Sequence, residues 1–169
     1  NFLFRLFKVD YYNPLVQGII RAVDLPSQFL RNFIRPIKNI DLSSFIVAIF
    51  IQAGAFYLAA IAGSIEYEPF KILMWSSYSV ILLMLKMIWW ILLGGIILSF
   101  VAGENFHPAI VLIRQMSDSL FSPFRVFLPP MGGLDFSPIF AFIALNFLQA
   151  VFVEFALESG LPVWLSVGF

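Results

Sequence analysis

The sequence contains no cysteine. Disulfide bridges, iron–sulfur ligation and thiol nucleophiles are therefore excluded. Histidine is nearly absent, His107 being the one imidazole, so a metal or bis-histidine haem site within one chain is not expected. Charge is scarce: Asp, Glu, Lys and Arg make up 12% of the residues, against roughly 25% in soluble domains. Acidic and basic side chains balance to a formal charge of zero. No global field draws nucleic acid, and no nucleic-acid partner is expected. No glycine loop of the phosphate-cradling kind is present, and His107 has no companion motif that would make it a catalytic base. Glu66 and Glu68 fall in a turn rather than forming a buried acid pair. No catalytic residue, cofactor or metal ligand is predicted, and the chain reads as non-enzymatic.

What replaces charge is apolar surface. Hydrophobic residues make up 61% of the 169, and 21 of them are phenylalanine. A soluble fold of this length would have to expose large patches to carry so much. A bilayer-spanning helix needs about 20 apolar residues. Three stretches supply that length: 42–65 without a charge, 72–103 with Lys86 alone, and 136–157 with Glu154 near its end. The opening run 1–7 is apolar except for Arg5 and reads as the tail of a further span beginning before Asn1. The predicted fold is all-α, a helical membrane protein forming one membrane domain over 1–169.

Basic residues set the sidedness. Arg5, Lys8, Arg21, Arg31, Arg35 and Lys38 lie in 1–40, and Arg114 and Arg125 lie in 104–134. Two spans separate these segments, so they share a side, and the opposite side holds only Lys71. The expected topology is multi-pass, with both segments cytoplasmic. The C-terminus, with Trp164 as an interface anchor, then faces outward.

Shifted by 94 residues, the sequence matches itself without gaps. Pro14 falls on Pro108, Ile19 on Ile113, Asp24 on Asp118, Arg31 on Arg125, Phe33 on Phe127, Pro36 on Pro130, Asp41 on Asp135 and Ser43 on Ser137. Asn13 falls on His107, so each segment opens on a polar cap followed by proline. The pattern predicts two parallel repeats, 1–68 and 69–169, each a span, an amphipathic interfacial helix and a span, with the first span truncated. Two spans return the chain to its starting side, so the copies are related by an axis along the membrane normal.

Within each repeat the amphipathic segment has helical spacing. Val16, Ile19, Ile20 and Val23 lead to Phe29, Leu30, Phe33, Ile34 and Ile37, with an interruption expected at Pro26. In the second copy Ile110, Ile113, Met116, Leu120, Phe124 and Phe127 repeat the pattern, with a break expected at Pro123. Arg21, Arg31, Arg35, Lys38 and Arg125 are candidates for lipid phosphates, each contributing roughly 1 kcal/mol near an anionic surface. Docking onto the bundle, or onto a partner, fits the same pattern.

The turn into the last span, 128–138, carries Gly132 and Gly133, which allow unusual backbone angles. Asp135 stands where an N-cap would, with Ser137 and Pro138 in the first helical turn. Asp41 and Ser43 hold the same places in the first copy. A structural role accounts for these residues; contact with an ion or partner is the alternative.

Polar groups inside the spans are few. Lys86 lies about 21 Å along the helix from Phe100 at 1.5 Å per residue. The matching level of the last span is near Gln149, which shares a face with Asn146; Gln52 is the repeat mate of Asn146. Interhelical hydrogen bonding is one role for them, and a polar path for an ion is the other. Ala55, Ala59 and Gly63 form a small-residue stripe, and Gly94 and Gly95 a second point of close approach, both signs of helix packing.

The Asn13-Pro14 unit, its His107-Pro108 counterpart and above all the run Pro130-Met-Gly-Gly-Leu-Asp-Phe-Ser-Pro138 resemble the YggT (YlmG-like) membrane proteins, over nearly the whole chain. The first copy departs from the motif, with Lys38 and Asn39 in place of the glycines and Ser44 in place of Pro138. The resemblance implies a bacterial inner-membrane or plastid protein without catalytic activity. It implies links to cell division or envelope organisation, to osmotic or potassium tolerance, and to assembly of a chloroplast cytochrome complex. Two functions are therefore expected to compete. One is an organising, assembly or accessory subunit that contacts lipids and other integral membrane proteins. The other is a small oligomeric ion channel.

Overall fold

A computed structural model of the chain describes residues 1–31, 42–63, 68–101, 106–127 and 135–162, with the backbone alone for 24–31. Arg35, Lys38, Asp41, Pro130, Gly132, Gly133 and Trp164 lie outside the described residues, as does the side chain of Arg31. Among the described residues every regular element is an α-helix: α1 (Phe2–Leu6), α2 (Pro14–Arg31), α3 (Leu42–Ile61), α4 (Pro69–Val101), α5 (Pro108–Phe127) and α6 (Ser137–Glu158). Three of them, α3, α4 and α6, are long and apolar enough to cross a membrane.

The ends of these spans follow local chemistry. Pro69 occupies the first position of α4, where its missing N–H costs no bond. Glu68 accepts an ion pair from Lys71 one turn later, at 2.6 Å. Gly160 closes α6 with φ 82°, its N–H donating to the Leu157 carbonyl while the Leu161 N–H donates to Ala156. This Schellman-type end folds Leu161 back into a cluster with Phe56, Trp75 and Ala156. The Trp75 indole N–H donates to the Ser159 carbonyl at 3.2 Å, tying the start of α4 to the end of α6. Gly63, expected in the packing stripe, lies beyond the end of α3 with φ 72°. It turns the chain there and takes no part in the helix face.

The centre of the bundle is α4. Its Ile72, Trp75 and Leu82 pack with Phe56 of α3 and Ala156 of α6. Leu85 and Leu92 pack with Phe121 of α5 and with Ala141 and Leu145 of α6. Between them, Ile88 and Ile91 meet the cluster of Leu3, Phe4, Phe7, Val16 and Met116. Thirty-three residues make α4 about 50 Å long, against about 30 Å of hydrocarbon. The excess leaves turns of α4 free to carry α5.

That contact is made at Gly94 and Gly95. A Cβ built on Gly94 would lie 3.4 Å from Ile113, and one on Gly95 would overlap the Cβ and Oγ of Ser117. The two helices therefore approach as closely as their backbones allow. Both amphipathic helices run through their prolines, contrary to the expected breaks: α2 continues past Pro26 to Arg31, and α5 past Pro123 to Phe127. An interior proline costs about 3 kcal/mol in an isolated helix. In α5 the cost is offset by anchors on both sides of Pro123. Phe121 is buried and Phe124 packs beside it, and Arg125 bonds back to Asp118 across the proline.

Replacing Gly95 with alanine should lower stability by about 1–3 kcal/mol, the usual cost of overpacking, read as a fall in melting temperature in mild detergent. Adding Ser117→Gly removes both clashing atoms and should recover part of that loss. At Gly54, where an added Cβ meets nothing within 4 Å, alanine should cause no loss.

Candidate functional site

Polar side chains converge where the last turns of α4 and the first turn of α6 meet the flank of α5. Arg125 is the pivot. Its Nε–H donates to Asp135 Oδ2 at 2.8 Å and its Nη2 to Asp118 Oδ1 at 3.1 Å. Its guanidinium also lies 5.7 Å from the centre of the Phe121 ring, within cation–π range. The sequence-level role for Arg125, facing lipid phosphate, is thus narrowed: two of its nitrogens are spent on carboxylates inside the chain.

Asp135 serves two partners. The helix begins at Ser137 with Phe136 as its cap residue, so Asp135 stands one place before the position predicted for it. Its Oδ1 still accepts the Ser137 amide at 2.9 Å, satisfying one orphan donor of α6. Burial pushes the Asp135 carboxyl up, but the Ser137 amide and the Arg125 guanidinium outweigh it and hold the group below the usual carboxylate range. Burial lowers Arg125 in the same way, and the two carboxylates more than reverse it.

Around this trio is a cavity of about 670 Å³. One wall is apolar, from Gly95, Ile96 and Phe100 of α4 and Ile139 of α6; the other carries Arg114, Asp118, Arg125 and Asp135. Among the described residues no cluster of acidic and histidine side chains could hold a metal ion.

A second group of contacts fastens the start of the chain to α5. Asn13 is buried and its Nδ2 donates to the Pro108 carbonyl at 2.8 Å. Its Oδ1 accepts the Leu15 amide at 3.0 Å, and His107 Nδ1 accepts the Ala109 amide at 3.3 Å. Asn13 and His107, 94 residues apart, therefore make the same bond two residues on. Asp10 and Ser119 add bonds to Gln115 and Phe7. Ser43 and Ser137, also 94 apart, are both fully buried in the first turns of α3 and α6.

The other sequence candidates divide. Lys86 and Gln149 do come together, lining a cavity of about 240 Å³ with Trp89 and Trp90. Asn146 does not join them: it is exposed, and its Nδ2 donates to the Phe142 carbonyl of its own helix. Gln52 is half-buried on α3, away from that cavity. Ala55 is exposed and Ala59 half-buried. Arg21 is exposed on α2.

The model of the CCB3/YggT family matches residues 74–156. An uncharacterized Pseudomonas aeruginosa protein is 37% identical over 170 residues, covering 99% of this chain and 86% of that protein. The chain belongs to the YggT family. The uncharacterized Escherichia coli protein YggT is 29% identical over 153 residues, 89% of this chain and 78% of its own. A YlmG homolog, chloroplastic, of Arabidopsis thaliana matches at 52% over 40 residues, 23% of this chain and 16% of its own. No solved structure matches the chain. The family match takes in most of α4, all of α5 and most of α6, and with them the whole Arg125 trio.

The trio itself was missed from sequence, although its signal was present. Asp118, Arg125 and Asp135 are the charged members of the identities at a shift of 94 residues, falling on Asp24, Arg31 and Asp41. A charge set repeated together points to a mutual contact, not to separate roles in capping and lipid binding.

Asp135 should give this YggT-family protein an acid limb in its stability. The carboxyl titrates lower in the fold than in the unfolded chain, whose range is near 3.9. Its contribution is therefore full at neutral pH and is lost as the pH falls through about 4 and below. Thermal unfolding in mild detergent from pH 8 to pH 3 should show that limb, and Asp135→Asn should flatten it. An equal limb in the variant would exclude Asp135 as its source.

Proposed function

We propose that this protein is a non-enzymatic organising, assembly or accessory subunit of a larger complex in the bacterial inner membrane. The observation that carries this reading is the difference between its two small-residue faces. Gly94 and Gly95 are consumed inside the chain by α5. The face of α3 bearing Gly54, Ala55 and Ala59 is left open, with Ala55 exposed and nothing within reach of Gly54. Lipid tails gain nothing from a small-residue face, whereas a second helix gains close backbone approach. Phe50 and Leu58, 63% and 66% exposed, are large apolar side chains on the same helix. The match at a shift of 94 residues supports the same reading, since two spans between α2 and α5 fit one shared side and the basic residues favour the cytoplasmic one.

Purification at native expression in mild detergent should then bring a partner in fixed stoichiometry. Ala55→Leu combined with Ala59→Leu should lose that partner while helicity and melting temperature stay unchanged. Repeated recovery of the bare wild-type chain would sink the reading.

A second reading, a small oligomeric ion pathway, is favoured by one observation, the cavity shared by Lys86 and Gln149. Liposomes holding the purified protein should then pass ions, and Lys86→Met should change the flux. Flux no greater than that of empty liposomes, under varied potential and osmolarity, removes it.

A further inference from the structure

The cavity beside Arg125 has a composition that neither reading above uses. It sits at the ends of two spans, against the last two turns of α4 and the first turn of α6. This is the level at which lipid headgroups meet acyl chains. Its apolar wall of Gly95, Ile96, Phe100 and Ile139 continues onto the spanning helices, and its polar wall belongs largely to α5.

Among the described residues the charge of that polar wall is balanced. Arg114 and Arg125 face Asp118 and Asp135. An anionic ligand would meet two carboxylates, and a cation would meet two guanidinium groups. A zwitterion satisfies both. Valences remain for it: Arg125 commits Nε and Nη2 to the carboxylates, which leaves the Nη1 edge as a donor. Asp118 accepts Arg125 on Oδ1 and is 60% exposed, which leaves Oδ2 as an acceptor.

We infer that this cavity is a binding site for a zwitterionic aminophospholipid, its phosphate at Arg125 and its primary ammonium at Asp118, with one acyl chain along Ile96, Phe100 and Ile139. A primary ammonium has three donors for the Asp118 carboxylate. A trimethylated amine has none, and a glycerol headgroup brings no positive charge to the acid. The headgroup charge pair complements the wall, and the apolar groove takes the tail, so a soluble phosphate would use only half of the site. The site lies away from the α3 face and does not depend on what docks there.

The experiment is native mass spectrometry of the full-length protein. It is released from micelles doped with equal amounts of phosphatidylethanolamine, phosphatidylglycerol and phosphatidylcholine. The wild type should retain phosphatidylethanolamine about three- to fivefold over the other two, the scale of one partly exposed ion pair. Asp118→Asn should bring that ratio to one, since Asp135 still holds Arg125. If Asp118→Asn does not fold, Ile139→Trp decides: it fills the apolar groove, leaves the ion trio untouched, and should expel the lipid. Equal retention of the three lipids by wild type overturns the proposal. So does a preference that survives in folded Asp118→Asn or, where that variant fails to fold, in Ile139→Trp.

Discussion

At Gly95 α5 comes so near to α4 that an added Cβ would overlap Ser117, and much else depends on that contact. Ser117 occupies the space that a side chain at Gly95 would fill. That contact sets α5 against the end of the central span. With Ser117 placed, Met116 enters the cluster with Leu3 and Phe7 on one side, and Phe121 enters the cluster with Ala141 and Leu145 on the other. Arg125, two turns from Ser117, then reaches the start of α6. Glycine serves here as an absence of volume. In a bilayer that absence is worth more than an added apolar group, because lipid already solvates apolar groups well.

The charged trio shows how a membrane boundary handles ions. Arg125 stands between two carboxylates, so neither acid faces low-dielectric surroundings alone. All three side chains are partly exposed, so each pair is worth at most about 1 kcal/mol and acts mainly by fixing geometry. Arg125 also fastens α5 to Asp135, just before the start of α6. The three residues, with a net charge of −1, tie α5 to the start of α6.

The spans were legible because composition alone decides them: 20 or more apolar residues with so few charges have one stable setting. The three predicted stretches agree with α3, α4 and α6 to within a few residues. The proline breaks were misjudged because local propensity was weighed without its tertiary anchors. Nothing local to Pro123 says that Phe121 is buried or that Arg125 reaches back to Asp118. The trio was hidden for a related reason. Asp118 and Arg125 are two helical turns apart, and Asp135 lies beyond a turn, so no short motif contains all three. Asn146 looked like a partner for Gln149 on spacing, yet its amide is satisfied by its own helix, which a helical wheel does not reveal. Within YggT-family sequences, pairs of like residues 94 positions apart would have been the better guide.

The length of α4 has a mechanical consequence. A rod about 50 Å long in a slab about 30 Å thick must tilt, protrude or do both. Its angle then varies with the thickness of the slab. Because α5 is locked to α4 at Gly95 and to the start of α6 through Arg125, a change in that angle is carried to α5. The orientation of the α5 surface is thereby set by the two spans that hold it.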